Sequence, residues 1–246
     1  MIFSLLIGRK GSTGFPNKNL LKINNKYLFE YPIDAALNTK LVDKLYVSTD
    51  CPIIKKISKQ KKIGIIDRPK KLASKKALGE DAFKHGYINI LKKEKINKKN
   101  VEFIILLFAN AVTINSKLIK KGISILRKNQ SIDSAVSVSK YNMWSPLRAR
   151  KLNNKNLLEP FVPFETFGNP RTLNCDRDSQ GDVWFADMGV SIVRPRCFDK
   201  MNDNLLPQKW MGKKIAPIFS EGGFDLDYKW QLPGVNYWLE NHYEND

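Results

Sequence analysis

Histidine is almost missing from this sequence: His85 and His242 are the only two in 246 residues. A His-rich metal centre is therefore excluded, and His85 reads as a structural residue of a helix. Cysteine is scarce too. Cys51, Cys175 and Cys197 show neither CxxC spacing nor an even framework, so free thiols in a reducing compartment are expected. No apolar run approaches the roughly 20 residues that span a bilayer. The opening residues show no basic segment followed by a small-residue cleavage site. The expectation is a cytoplasmic protein with no membrane partner. Acidic residues are outnumbered, 24 against 42 Lys and Arg, for a net charge of +18. That balance invites a nucleic-acid reading. The lysines, however, are spread along the chain beside Asn and Ile, as in residues 22–26 and 95–100. No zinc-finger spacing or RNA-binding aromatic motif accompanies them, so nucleic acid is not the expected partner. A general positive field still favours encounter with small anions.

What is present begins at the first strand. Residues 2–7 form a short apolar run of the length of a buried strand. It ends at Gly8-Arg9-Lys10-Gly11-Ser12-Thr13-Gly14, followed by Pro16, Lys18 and Asn19. Glycines let backbone N–H groups approach a ligand without a Cβ in the way, and Arg9, Lys10 and Lys18 add three cations. Such a loop leaving a strand suits a polyphosphate. Its spacing fits neither the P-loop nor the dinucleotide fingerprint. An ordinary turn with solvated lysines is the plainer alternative.

Strand and helix patterns then alternate: helix at 27–39, strand at 44–50, helix at 52–62, strand at 63–66, helix at 78–93, strand at 102–109, helix at 116–128 with Ser116 as N-cap, and strand at 134–139. This alternation predicts a parallel α/β sheet made by right-handed crossovers, with polar strand ends where ligands bind. From 141 to 182 the periodicity stops. Trp144, three phenylalanines and four prolines gather there, an unusual aromatic content for an exposed segment. A strand at 183–193 follows. Near the end, Asp225-Leu226-Asp227 places two carboxylates at i and i+2, on one side of an extended segment, where both can approach a hard cation. Pro233 predicts a break or a late start in the last helix.

The ordered set resembles the CMP-sialic acid synthetases and the related CMP-Kdo synthetases. Their loop has the form A-R-x-x-S-K-G-x-P-x-K-N; Arg9, Ser12, Gly14, Pro16, Lys18 and Asn19 match it, while Gly8 replaces Ala and Thr13 replaces a common Lys. Arg68-Pro69-Lys70-Lys71-Leu72-Ala73 resembles R-P-x-x-L-A. The family strand ending L-L-Q-P-T-S-P-L stands here as Leu106-Leu107-Phe108-Ala109-Asn110-Ala111-Val112-Thr113, with Phe108 at the Gln position. Arg177, then Asp187-Met188-Gly189-Val190-Ser191, correspond to R-Q-D-L-P and N-G-A-I-Y, and Asp225-Leu226-Asp227 to D-I-D.

The resemblance implies a three-layer, mostly parallel Rossmann-like nucleotidyltransferase sheet, one domain over 1–246, with an inserted arm at 141–182. It implies transfer of CMP from CTP to the anomeric hydroxyl of an acidic, sialic-acid-like sugar, with release of pyrophosphate. Arg9, Lys18 and Asp225 would be catalytic. Arg9, Ser12, Gly14, Lys18, Asn19, Arg68 and Asn110 would bind nucleotide, and Arg177, Gln180 and Asp187 the sugar. Asp225 and Asp227 would hold Mg²⁺. The arm would reach a partner subunit in a homodimer, or else form a lid over the chain's own site. Kdo, another ulosonic acid or a phosphonate are alternative acceptors, and a non-catalytic nucleic-acid-binding protein is the remaining rival.

Overall fold

The computed structural model describes residues 1–11, 14–178, 180–223 and 225–242. It starts with β1 (Ile2–Ile7), buried at every position. A small hairpin of β2 (Lys22–Ile23) and β3 (Lys26–Tyr27) precedes α1 (Glu30–Leu37). The helix expected from residue 27 therefore begins three residues later. Asn24 and Asn25 both take positive φ (49° and 61°), the conformation of a two-residue hairpin turn, which claims Tyr27 for a strand. Then come β4 (Lys44–Thr49), α2 (Pro52–Gln60), β5 (Gly64–Asp67), the single turn α3 (Lys70–Ala73) and α4 (Gly79–Glu94). β6 (Phe103–Phe108), α5 (Ser116–Lys128) and β7 (Ser134–Lys140) follow. Asn115, rather than Ser116, caps α5, its side chain accepting from the Leu118 N–H at 2.9 Å.

Between residues 141 and 182 short 3₁₀ turns surround an exposed hairpin of β8 (Arg150–Leu152) and β9 (Leu158–Pro160). β10 (Trp184–Val193), β11 (Ile215–Ser220) and α6 (Leu232–His242) complete the chain. Pro233 sits at the second position of α6, where a missing N–H costs no helical bond. The late helix start is what the sequence predicts.

Seven strands form the central sheet in the order β11-β7-β10-β6-β1-β4-β5. All neighbours are parallel except β10, which runs antiparallel to both β6 and β7. The mostly parallel α/β class is confirmed. Side-chain alternation along β1 builds the layers. Ile2 and Leu6 face α1, α2 and α5, while Phe3, Leu5 and Ile7 face α4 and the turns around 198–211. Phe3, Phe29, Phe83 and Phe103 are fully buried, each contributing about 1.5–3 kcal/mol relative to an exposed ring. A third, smaller cluster joins α6 to the β2–β3 hairpin through Val235, Leu239, Ile23 and Leu226. That cluster brings the late carboxylates to the first loop. Among the described residues no helix is long and apolar enough to cross a membrane.

Candidate active site

Two ends of the chain meet beyond the carboxyl ends of β1 and β6. Leu226 is fully buried in the third cluster. With the residue between them pointing inward, Asp225 and Asp227 are turned to the same, opposite side. The segment is held by a bridge between Ala111 and Asp225 and by the Leu226 N–H, which donates to the Asn110 carbonyl at 3.0 Å. The Asn110 carboxamide donates to Asp225 Oδ2 at 3.1 Å and to the Leu226 carbonyl at 3.2 Å. Asn110 thus braces the aspartates. The first loop approaches from the other side: a Cβ on Gly14 would lie 2.9 Å from the Asp227 carbonyl oxygen, so only glycine fits without displacement. The Gly8 that departs from the family pattern has a similar reason. A Cβ there would meet the Ala109 Cβ at 2.7 Å.

Arg9, Gly14, Lys18, Asn19, Arg68 and Asn110 all line one cavity of about 280 Å³, together with Asp225 and Asp227. Ser12 lies outside the described residues. The Lys10 N–H donates to Asp50 Oδ1 at 2.7 Å, and the Asn19 carboxamide donates to the Arg9 carbonyl at 3.2 Å. These bonds tie both sides of the loop. Asn19 Oδ1 is buried without a hydrogen-bond partner among the described residues. Arg68 is buried, donating from Nη2 to the Ser48 carbonyl at 2.7 Å. Burial pulls its pKa down to about 10, with Asp50 opposing and Arg9 adding to the shift; the guanidinium remains charged at neutral pH. Lys18 forms an ion pair with Asp227. Phe108, at the family's Gln position, packs edge-on against Phe83 with ring centres 5.2 Å apart. It closes the cavity's floor with apolar surface.

Asp225 is half-buried, and burial raises its pKa, Asp227 adding repulsion while Asn110 and Lys18 oppose. A desolvated carboxylate beside a second one is a site that a divalent cation relieves. Among the described residues no group of three or more His, Cys, Asp or Glu gathers in this way. The pair fits Mg²⁺, which needs only one or two protein carboxylates when phosphates supply further oxygens.

A second cavity of about 490 Å³ shares Asp225 with the first. Its wall carries Tyr141, Trp144, Phe185, Met188 and Trp230. Sequence reading missed this aromatic lining, because its parts come from three distant segments. Asp187 belongs to the wall but is 5% exposed. Its Oδ1 accepts from Ser137 Oγ and from the Gly189 N–H at 3.0 Å, and its Oδ2 accepts from Ser139 Oγ at 2.6 Å. It pins the bulge of β10, where the register shifts between Ala186 and Ser191. Met188, in that bulge, has φ 59°, where the family pattern has Gly. Arg177 and Gln180 are not in the wall of either cavity. Gln180 is half-buried in the turn before β10. Arg177 is exposed, with its Nη2 2.8 Å from Asp178 Oδ2; this pairing and the Asn142 carboxamide lower the Asp178 pKa to about 2.

Comparison with known proteins places this geometry. The family pattern described as Cytidylyltransferase matches residues 5–160. A Helicobacter pylori protein, pseudaminic acid cytidylyltransferase and UDP-2,4-diacetamido-2,4,6-trideoxy-beta-L-altropyranose hydrolase, is 27% identical over 226 residues, 91% of this chain and 38% of that protein. The N-acylneuraminate cytidylyltransferase of Escherichia coli O18:K1:H7 is 34% identical over 84 residues, 34% of this chain and 20% of the relative. The chain thus spans well under half the length of these curated relatives. In fold it is similar to a solved CMP:2-keto-3-deoxy-manno-octonic acid synthetase complexed with CTP, at TM-score 0.67 and 14% identity, covering 97% of this chain and 98% of that one. The 4-diphosphocytidyl-2C-methyl-D-erythritol synthase of Anaerococcus prevotii is also similar, at TM-score 0.60 and 12% identity, covering 98% and 99%. With more than half its length, the first loop included, matched by that pattern, the chain belongs to the cytidylyltransferase family.

Proposed function

We propose that the chain transfers CMP from CTP to the hydroxyl of an acidic, sialic-acid-like sugar and releases pyrophosphate. The observation that carries this reading is the meeting of two cavities at Asp225, one lined by phosphate-binding cations and one by aromatic rings. The triphosphate lies against Arg9, Lys18 and the loop N–H groups, which neutralise charge and fix its α-phosphate toward Asp225. The acceptor occupies the aromatic cavity with its anomeric hydroxyl toward the same point. That oxygen attacks the α-phosphorus and loses its proton to solvent, while the bond to the β-phosphate oxygen breaks, its electron pair leaving with pyrophosphate. Such a transfer is mostly positioning and charge neutralisation. Mg²⁺ held by Asp225 and Asp227 would supply Lewis-acid charge to the phosphate oxygens and lower the hydroxyl's pKa. For that, the Lys18–Asp227 ion pair opens, and Lys18 turns to phosphate.

The reading extends to assembly. Leu152, Leu157, Leu158 and Phe161 of the arm are each more than 60% exposed, an apolar surface suited to a second copy of the chain. In such a homodimer the arm carries Arg177 of one copy to the sugar carboxylate in the other, which a guanidinium can hold in a bidentate fork. CTP as substrate suits a cytoplasmic enzyme. The test is a pyrophosphate-release screen of four nucleoside triphosphates against a panel of acidic sugars. CTP with a nonulosonic acid should give Mg²⁺-dependent release; no release with any pair would refute the transfer.

A further inference from the structure

The two aspartates at the nucleotide cavity are held in different ways. Asp227 has a side chain 51% exposed and pairs with Lys18, a mobile cation of the first loop. Asp225 is half-buried, and its partner is the neutral carboxamide of Asn110, itself buried. Asn110 Nδ2 donates to Asp225 Oδ2 at 3.1 Å and to the Leu226 carbonyl at 3.2 Å. An amide nitrogen carries two hydrogens, so both are committed to this segment. The family resemblance groups Asn110 with the nucleotide contacts, yet no hydrogen is left for a phosphate oxygen. Nor is the side chain needed to register the segment. The Leu226 N–H donates to the Asn110 carbonyl at 3.0 Å, Ala111 bridges Asp225 through the backbone, and Leu226 is fully buried. What the carboxamide adds is direction: it fixes how the Asp225 carboxylate is turned.

We infer that Asn110 is a positioning residue that acts through Asp225, setting its carboxylate for the divalent cation and adding nothing to the affinity for the nucleotide itself. The inference rests on the cytidylyl-transfer reading and adds a residue to its metal site. A carboxylate without the brace turns about two side-chain torsions, and the cation must then order it on binding. It also loses a hydrogen bond in a place that water reaches poorly. Hydrogen-bond partners of metal-holding carboxylates typically carry about 10- to 100-fold in metal affinity, which sets the scale of the effect. The asymmetry of the pair follows. Asp225 is the fixed ligand, and Asp227 is the one that exchanges Lys18 for the metal.

The test is calorimetric titration of the protein with CTP in the absence of any acceptor, once in EDTA and once with saturating Mn²⁺. The ratio of the two dissociation constants measures how far the metal tightens nucleotide binding, without any turnover. In the wild type that ratio should be about 100. In Asn110→Ala it should fall to about ten, with the dissociation constant in EDTA unchanged. Asn110→Thr keeps one hydroxyl hydrogen in place of two amide hydrogens and should lie between. If Asn110→Ala does not fold, the Thr variant decides by the same ratio. A wild-type ratio in these variants, with only a lower melting temperature, would make Asn110 a structural brace and overturn the inference. Weaker CTP binding in EDTA would make it a nucleotide contact and overturn it equally. Both results leave the transfer reading standing. A wild-type protein that binds no CTP, or binds it no tighter with Mn²⁺, overturns the metal-assisted reading as well.

Discussion

The two cavities that meet at Asp225 are built on opposite principles. In the nucleotide cavity, charged and polar residues line the space: Arg9, Lys18, Arg68 and Asn19 border about 280 Å³. In the acceptor cavity, apart from the shared Asp225, the wall of about 490 Å³ is mostly rings and Met188. The difference follows from what each ligand must lose. A triphosphate keeps its charge in every protonation state near neutrality, so its site needs fixed cations and N–H dipoles. A sugar is recognised by which of its faces can shed water, so its site works by shape and apolar contact.

Changes in the charged half should therefore be larger than changes in the aromatic half. Asp225→Asn should lower turnover by about 1,000-fold, while thermal melting at pH 7 stays equal to the wild type or rises. The sign follows from the raised pKa of Asp225. A carboxyl whose folded pKa lies above its unfolded value costs stability once ionised, and that cost disappears as pH falls through the raised pKa. The variant's melting advantage should shrink as the pH approaches about 4, near the ordinary carboxylate range. A variant that melts well below the wild type at pH 7 would make the aspartate a structural brace instead.

Lys18→Ala removes the cation nearest the aspartates and should cost about 100-fold in kcat/KM for CTP. Its partner Asp227 has a side chain 51% exposed, so little stability is lost, and circular dichroism with initial rates reads both quantities. Arg177→Ala should raise the acceptor KM by about tenfold, the scale of one charge-assisted hydrogen bond. If the arm serves the neighbouring copy, mixing this variant with Asp225→Asn at low acceptor concentration gives a rate above the sum of the two measured apart. Light scattering should then give twice 28.3 kDa. A fully active monomer would remove the arm from assembly. Smallest of all, Tyr141→Phe deletes one bond to Gly223, worth about 1 kcal/mol. It should raise the acceptor KM about fivefold and leave the KM for CTP alone.

The same contrast governs what the sequence discloses. The nucleotide half is local: a buried strand, glycines and cations fall within residues 2–19, and two aspartates flank one buried leucine. Their grouping is legible because each piece is a short motif. The acceptor half is assembled from residues 141–144, 185–188 and 230–234, whose meeting depends on the antiparallel insertion of β10 between β6 and β7. No local pattern announces that strand's direction. Asp187 illustrates the limit. As a letter it marks a polar sugar site; in the fold, Ser137 and Ser139 of the neighbouring strand absorb it. β11 is hidden for another reason: Pro217 argues against a central strand, and the strand occurs at the sheet edge, where proline is tolerated. The α5 cap moved by one residue because Asn115 and Ser116 are both good caps and only the backbone geometry chooses between them.

The central claim is that a metal-bound nucleotide sits at Asp225, between the two cavities. Mn²⁺ in place of Mg²⁺ makes that position visible, because its unpaired electrons broaden nearby proton signals in NMR. With CTP and Mn²⁺ together, the indole N–H signal of Trp230 should broaden strongly, while that of Trp210, buried against Phe83, broadens less. The effect should need CTP and disappear in Asp225→Asn. Equal broadening without CTP, or none at Trp230 with it, would place the metal elsewhere and contradict the account.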